Sequence, residues 1–240
     1  MIDGKRVLAI VPARSGSKGL ADKNVRPLDG QPLLAWPIVT ALESQYIDRV
    51  ILSTDSQEYA DIGQSHGAEV LSLRPDHLAG DQVPTSDVVI HIVDELKAQG
   101  DAFEYLVLLE PTSPLTQSSD VDSGLEALMQ RSQSGAMVAI REVLTEHPLY
   151  CSTMDPQSKL SPYQRSSFSE PIRRQDLSKI FCFSGSFYIS NVDRYRREQS
   201  FYHDATYGFE MPAWKSREID DLSDFVCVEA LKKNQHLFSS

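Results

Sequence analysis

Short unbroken apolar runs, rich in β-branched residues, recur along the first 140 residues of this chain. They are Val7 to Val11, Arg49 to Ser53, Glu69 to Leu73, Tyr105 to Leu109 and Ala136 to Ile140. Runs of this kind predict strands covered on both faces, as in a parallel sheet. Between them the apolar positions fall at helical spacing: Pro32 to Glu43, Ser56 to about His66, Ser86 to Gln99 and Asp120 to Gln130. Pro37 sits inside the first of these helical patterns, and Asp55 with Glu58 three residues later looks like a capping box opening the second. Strict alternation of strand and helix implies right-handed βαβ units and a doubly wound sheet. The rhythm then breaks. Residues 142–180 are rich in Ser, Pro, Gln and Arg and read as an excursion from the sheet, either an interaction arm or a long surface loop. Structure resumes at Ile180 to Phe183 and Ser186 to Ile189, and a final helix is predicted from about Leu222 to Asn234.

Composition narrows the class. A length of 240 residues suits one α/β domain, alone or with a small subdomain. With 41% hydrophobic and 24% charged residues the chain can bury a core, which excludes disorder as its dominant state. No apolar run reaches the length of about 18 residues that a membrane span needs. The opening Met1 to Arg6 reads as a strand start and not as a signal peptide, so a cytoplasmic location is expected. The three cysteines are widely spaced, form no metal or redox motif and read as reduced thiols. The 23 basic against 34 acidic side chains leave a net charge of −11, a poor surface for nucleic acid. Any anion site must therefore be a local concentration of positive charge.

One such concentration follows the first strand, from Pro12 to Asn24. Gly16 and Gly19 let backbone N–H groups approach phosphate oxygens, and Arg14, Lys18 and Lys23 place cations beside them. The loop matches neither a P-loop nor a dinucleotide fingerprint, and a solvated basic loop is the alternative. Near the other end, Glu218 to Asp224 holds four carboxylates in seven residues. In an extended segment Glu218 and Asp220 face one way and Ile219 the other, an arrangement that suits Mg²⁺. The alternative, preferred for Asp221 and Asp224, is helix N-terminal chemistry. Glu110 ends the fourth apolar run, where it is a candidate site residue or an exposed turn acid. Arg173-Arg174 is a second cationic group or a surface basic pair.

Taken together these residues resemble the acylneuraminate cytidylyltransferases, the CMP-sialic acid synthetase family. That family opens with I-P-A-R-x-G-S-K-G-x-x-x-K-N, and Val11 to Asn24 match every fixed position except the leading Ile. Ser53-Thr54-Asp55, Arg74 to Asp81 (R-P-x-x-L-A-x-D), Pro111 to Leu115 (P-T-S-P-L), Arg173 to Leu177 (R-R-Q-D-L), Gly185 to Tyr188, and Glu218-Ile219-Asp220 with Asp224-Phe225 follow in the family's order. The resemblance implies a Rossmann-like nucleotidyltransferase fold, one domain over 1–240, with 142–180 inserted as a dimerisation and sugar-site arm. It implies a cytoplasmic homodimer that joins CTP to a sialic-acid-like 2-keto-3-deoxy sugar acid, with Mg²⁺, giving a CMP-sugar and pyrophosphate. By position, Arg14, Ser15, Gly16, Ser17 and Lys23 would hold the triphosphate, and Ala13, Asn24, Arg74 and Thr85 would contribute nucleotide contacts. Asp220, with Glu218, would hold Mg²⁺; Glu110, Tyr188 and Arg174 would face the sugar. Arg174, Lys23 and Asp220 take catalytic positions. A synthetase of the CMP-KDO type and a catalytically silent nucleotide-binding homologue are the alternatives.

The chain departs from the family pattern at four positions. Glu110 stands where the family usually has a sugar-touching Gln, Thr116 where Arg is common, and Ser184 where Asn is common. These three are expected on or near the sugar side. An ionised carboxylate at 110 donates no hydrogen bond, so a contact that used the amide N–H is lost. Glu218 replaces Asp, keeping an oxygen ligand on a longer stem. None of the six histidines presents itself as a general base.

Overall fold

The computed structural model describes residues 1–17, 19–169 and 171–238. Six strands form the central sheet: β1 Val7–Pro12, β2 Arg49–Ser53, β3 Tyr105–Leu108, β4 Ala136–Glu142, β5 Phe181–Asn191 and β6 Thr206–Glu210. Their spatial order is β6-β4-β5-β3-β1-β2. The pairs β1–β2, β1–β3 and β4–β6 are parallel, while β5 runs antiparallel to both its neighbours. The result is a mostly parallel, Rossmann-like sheet.

Helices cover both faces, which explains the unbroken apolar runs. Side chains alternate across a strand, so Val7, Ala9 and Val11 pack on one side with α1 (Ala35–Leu42), α2 (Gln57–Ser65) and α4 (Ser118–Arg131). Leu8 and Ile10 pack on the other with α3 (Thr85–Ala98) and α5 (Val192–Glu198). Pro37 falls in the first turn of α1, where a missing N–H breaks no intrahelical bond. The last helix, α6 (Leu222–Lys233), builds a third cluster in which Ile219, Phe225 and Val228 meet Leu28, Leu33 and Leu115.

Three expectations from the sequence change. Glu69 to Leu73 is not a full strand: Glu69 alone bridges Ile51, exchanging bonds with Val50 and Leu52. The chain then turns inward, and the Arg74 N–H donates to the Thr54 carbonyl. The N-cap of α2 is Ser56, whose hydroxyl accepts from the Tyr59 N–H, and not Asp55. Ile180 to Phe183 and Ser186 to Ile189 lie in one long strand, β5, with a register shift against β4 between Val138 and Ile140.

Residues 142–180 do leave the sheet. Glu142 pairs with Phe181, and the Val143 N–H donates to the Ile180 carbonyl, so the excursion departs and returns at one point. It carries a small antiparallel ribbon, Ser152–Met154 against Leu160–Pro162. Met154, Leu160, Tyr163 and Phe168 on it are exposed.

Candidate active site

The carboxyl ends of β1, β2 and β3 surround a cavity of about 490 Å³, where open α/β sheets place their ligands. That volume lies in the usual range of about 300–1,000 Å³ for small-molecule sites. Arg14, Ser17, Gly19, Lys23 and Asn24 line it from the first loop, Arg74 and Thr85 from the second crossover, Glu110 and Thr112 from the end of β3, and Asp220 from the entry to α6.

The cationic loop and the terminal acids are therefore in one site, and backbone contacts hold them there. The Lys23 ammonium donates to the Ile219 carbonyl at 2.6 Å and lies 3.7 Å from an Asp220 carboxylate oxygen. The Ile219 N–H donates to the Thr112 carbonyl at 2.9 Å, and Ile219 itself is fully buried. A Cβ at position 19 would stand 2.5 Å from the Asp220 carbonyl oxygen, so only glycine allows this approach. Glu218 and Asp220 part company. Asp220 is exposed at the cavity, while Glu218 accepts the Gly185 N–H at 2.8 Å. Asp221 and Asp224 form the reciprocal cap of α6.

Within the loop the groups divide their work. The Arg14 guanidinium spans from the Ser15 and Gly16 carbonyls to Asp81, 2.7 Å away across the cavity mouth. Asn24 donates its amide to the Arg14 carbonyl. Ala13, Ser15 and Gly16 set the loop's path and do not line the cavity. The Ala13 N–H goes to the Ser53 carbonyl, both Ser15 donors go to Asp55, and Gly16 takes a positive φ of 70°. Lys18 lies outside the described residues. Arg74 is buried, with its guanidinium on the Ser53 hydroxyl and carbonyl. Burial lowers its pKa, and Asp55 opposes that shift.

A second cavity of about 300 Å³ adjoins the first and shares Thr85 and Glu110 with it. Tyr188, Tyr195, Phe201 and Tyr202 give it an aromatic wall, with the Tyr188 and Phe201 ring centres 5.2 Å apart. Burial, then the charge of Glu110, pushes the Tyr188 phenol up, so it stays protonated. Phe201 and Tyr202 carry no motif or periodicity that marks them in the sequence. Of the departures noted there, only Glu110 reaches either cavity. Thr116 is buried and donates to the Ser186 carbonyl, and the Ser184 hydroxyl pairs with that of Ser186 at 2.7 Å. Thr116 thus ties the turn after β3 to β5, the Ser184 contact stays within β5, and neither residue lines a cavity. Arg174 is exposed on the excursion, donates to the Leu144 carbonyl, and lines neither cavity.

Glu110 carries the site's clearest electrostatic signature. Burial, then the neighbouring Glu218 and Asp220, push its carboxyl up to about 7, against the Thr112 hydrogen bond and Lys23. Its folded-state pKa exceeds its unfolded value, so folding takes up a proton between roughly pH 4.5 and 7 and stability falls as pH rises through that window. Glu110→Gln removes the charge and keeps the shape. It is expected to stabilise the metal-free protein by roughly 2–3 kcal/mol at pH 8, the gain vanishing near pH 4.5. Thermal unfolding of both proteins at pH 8 and pH 4.5 checks this, and a midpoint difference that does not change with pH contradicts it.

The Cytidylyltransferase family model matches residues 8–238. The chain belongs to the cytidylyltransferase family. Among its relatives, the CMP-N,N'-diacetyllegionaminic acid synthase of Legionella pneumophila is 33% identical, with 94% of this chain and 96% of the relative covered. The N-acylneuraminate cytidylyltransferase of Streptococcus agalactiae serotype V is 34% identical over 92% of this chain, which spans about half (52%) of that longer relative. Among solved structures, CMP:2-keto-3-deoxy-manno-octonic acid synthetase complexed with CTP superposes with a TM-score of 0.68, covering 96% of this chain and 99% of the other. At 15% identity that likeness speaks for the shared cytidylyltransferase fold alone.

Proposed function

We propose that this cytidylyltransferase joins CTP to a sialic-acid-like 2-keto-3-deoxy sugar acid, giving a CMP-sugar and pyrophosphate. The observation that carries this reading is the meeting of Arg14, Lys23 and Asp220 on one cavity although the sequence separates them by about 200 residues. The names of several relatives, which are N-acylneuraminate and pseudaminic acid cytidylyltransferases and a CMP-N,N'-diacetyllegionaminic acid synthase, support the substrate class.

The chemistry is in-line displacement at the α-phosphorus. The anomeric hydroxyl oxygen forms the new P–O bond, and the bond to the bridging oxygen of pyrophosphate breaks. Arg14 and Lys23 offset the charge of the departing pyrophosphate, the positioning and neutralisation that dominate phosphoryl-type transfer. Asn24, Arg74 and Thr85 orient the nucleotide, while Glu110 and Tyr188, on the second cavity, face the sugar acid. The donor set fits Mg²⁺. Among the described residues no cluster of three or more His, Cys, Asp or Glu could cage a metal, and this ion commonly takes one or two carboxylates together with phosphate oxygens. Asp220 would hold it, with Glu218 behind. When bound, the ion supplies charge neutralisation and a more acidic attacking hydroxyl.

The 142–180 excursion, with its exposed apolar side chains, is read as the arm of a homodimer that brings Arg174 toward a sugar site. No helix among the described residues is long and apolar enough to cross a membrane, and a cytoplasmic location fits the use of CTP. The deciding experiment incubates the protein with CTP, Mg²⁺ and a panel of nonulosonic and octulosonic acids, followed by mass spectrometry. One CMP-sugar with stoichiometric pyrophosphate is expected. If none of the sugar acids in the panel yields a CMP-sugar and pyrophosphate, the reading is overturned.

A further inference from the structure

Asp55 is freed from helix capping because Ser56 caps α2 and the Ser56 N–H is itself held by the Thr54 hydroxyl. Its carboxylate turns toward the loop after β1. One oxygen accepts the Ser15 N–H and the other the Ser15 hydroxyl, both at 2.7 Å. Burial alone would raise the Asp55 carboxyl. The two Ser15 bonds and the nearby Arg74 guanidinium outweigh it and hold the group below the usual carboxylate range. The carboxylate is thus ionised at neutral pH and acts as acceptor at both oxygens. Neither Asp55 nor Ser15 lines the cavity, but Arg14 and Ser17 on either side of Ser15 do.

The end of β2 is a common anchor for two parts of the site. Ser53 takes the Ala13 N–H and the Arg74 guanidinium, and Asp55 takes Ser15. The loop is therefore held at three successive residues, 13 by Ser53, 14 by Asn24 and 15 by Asp55, before it turns at Gly16. Freeing residue 15 removes the last anchor before the turn and leaves the path of 15–17 to backbone entropy, which in a short glycine-bearing loop is large.

Resting on the cytidylyltransferase reading, we propose that Asp55 is a positioning residue for the triphosphate, its two-oxygen grip on Ser15 fixing the turn that aims Arg14 and Ser17 into the cavity. Its hydrogen bonds reach the loop through Ser15, its charge is felt by Arg74, and it does not line the cavity.

The test is CTP binding by calorimetry, alongside cytidine, which has no phosphates. Asp55→Ala is expected to weaken CTP about 10- to 100-fold, the range for losing hydrogen bonds to a charged group, and to leave cytidine within about 2-fold, inside the scatter of distant effects. Asp55→Asn still accepts the Ser15 N–H, and the hydroxyl can rotate to accept from the amide. It should recover most of the CTP affinity. Because Asp55 works through Ser15, the Ser15→Ala loss is expected to be largely contained within the Asp55→Ala loss, so the double variant binds CTP about as Asp55→Ala does. Should Asp55→Ala not fold, Ser15→Ala carries the test, with CTP weakened several-fold and cytidine unchanged. CTP bound by a folded Asp55→Ala as tightly as by the parent overturns the proposal, as do equal losses for CTP and cytidine. Failure of the parent itself to bind CTP would instead overturn the cytidylyltransferase reading.

Discussion

Asp220→Asn is expected to lower Mg²⁺-dependent pyrophosphate release by about 100- to 1,000-fold, the loss typical of removing one charge-stabilising group from a polar active site. The substitution keeps the side chain's size and one acceptor oxygen, and its exposure means that no packed neighbour is disturbed. The backbone around it is held independently: the Ile219 N–H by Thr112, the Ile219 carbonyl by Lys23, and the Asp220 N–H by Asp224. What changes is the charge at the cavity and hence the affinity for a hard cation. The effect should appear as a need for more Mg²⁺, with the melting temperature unmoved. Activity within a few-fold of the parent at every Mg²⁺ concentration removes the metal role of this residue.

Lys23→Ala should reduce kcat/KM for CTP by a comparable factor, about 100-fold or more, through two losses. The site loses a cation beside the departing pyrophosphate, and the Ile219 carbonyl loses its 2.6 Å donor. The Lys23 side chain is only 13% exposed, so the positive charge is little screened by solvent. Lys23→Arg separates the two contributions. It keeps the charge but presents a planar fork where a point donor sits, so it is expected to fall between parent and alanine variant. Steady-state kinetics with saturating sugar acid measures this. An alanine variant with unchanged kcat/KM shows that the cation does not act on the phosphates.

Strands β1 to β4 and helices α1 to α4 were legible in the sequence because burial on both faces of a sheet leaves nearly unbroken apolar runs. β6 was not. Thr206–Glu210 is an edge strand with a glycine at its centre and an acid at its end, and α5 is short and mostly charged. Five of the seven residues of that helix are charged, and neither element carries enough periodicity to stand out from a loop. The two segments that meet at the cavity could be picked out from Pro12 to Asn24 and from Glu218 to Asp220, since cations clustered beside glycines and carboxylates clustered before a helix each stand out from an ordinary loop. What could not be read is which groups speak to the ligand and which to one another. Ser15 and Ala13 belong to the phosphate-loop pattern, yet their donors go to Asp55 and Ser53. Asp55 at i and Glu58 at i+3 satisfy a local capping pattern that the neighbouring Ser56 fulfils instead, a choice only tertiary structure makes. Asp81, the partner of Arg14, lies in a quoted motif but carries no local sign of pairing across the cavity mouth.

Lys23 and Ile219, joined by one hydrogen bond, stand 196 positions apart in the chain. Synthesis from the N-terminus makes the cations some 196 residues ahead of the acids. A nascent polypeptide that has not reached Ile219, or one cleaved ahead of it, has only one side of this cavity, and under the proposed reaction it is expected to release no pyrophosphate from CTP. Competence thus waits for translation to pass Asp220.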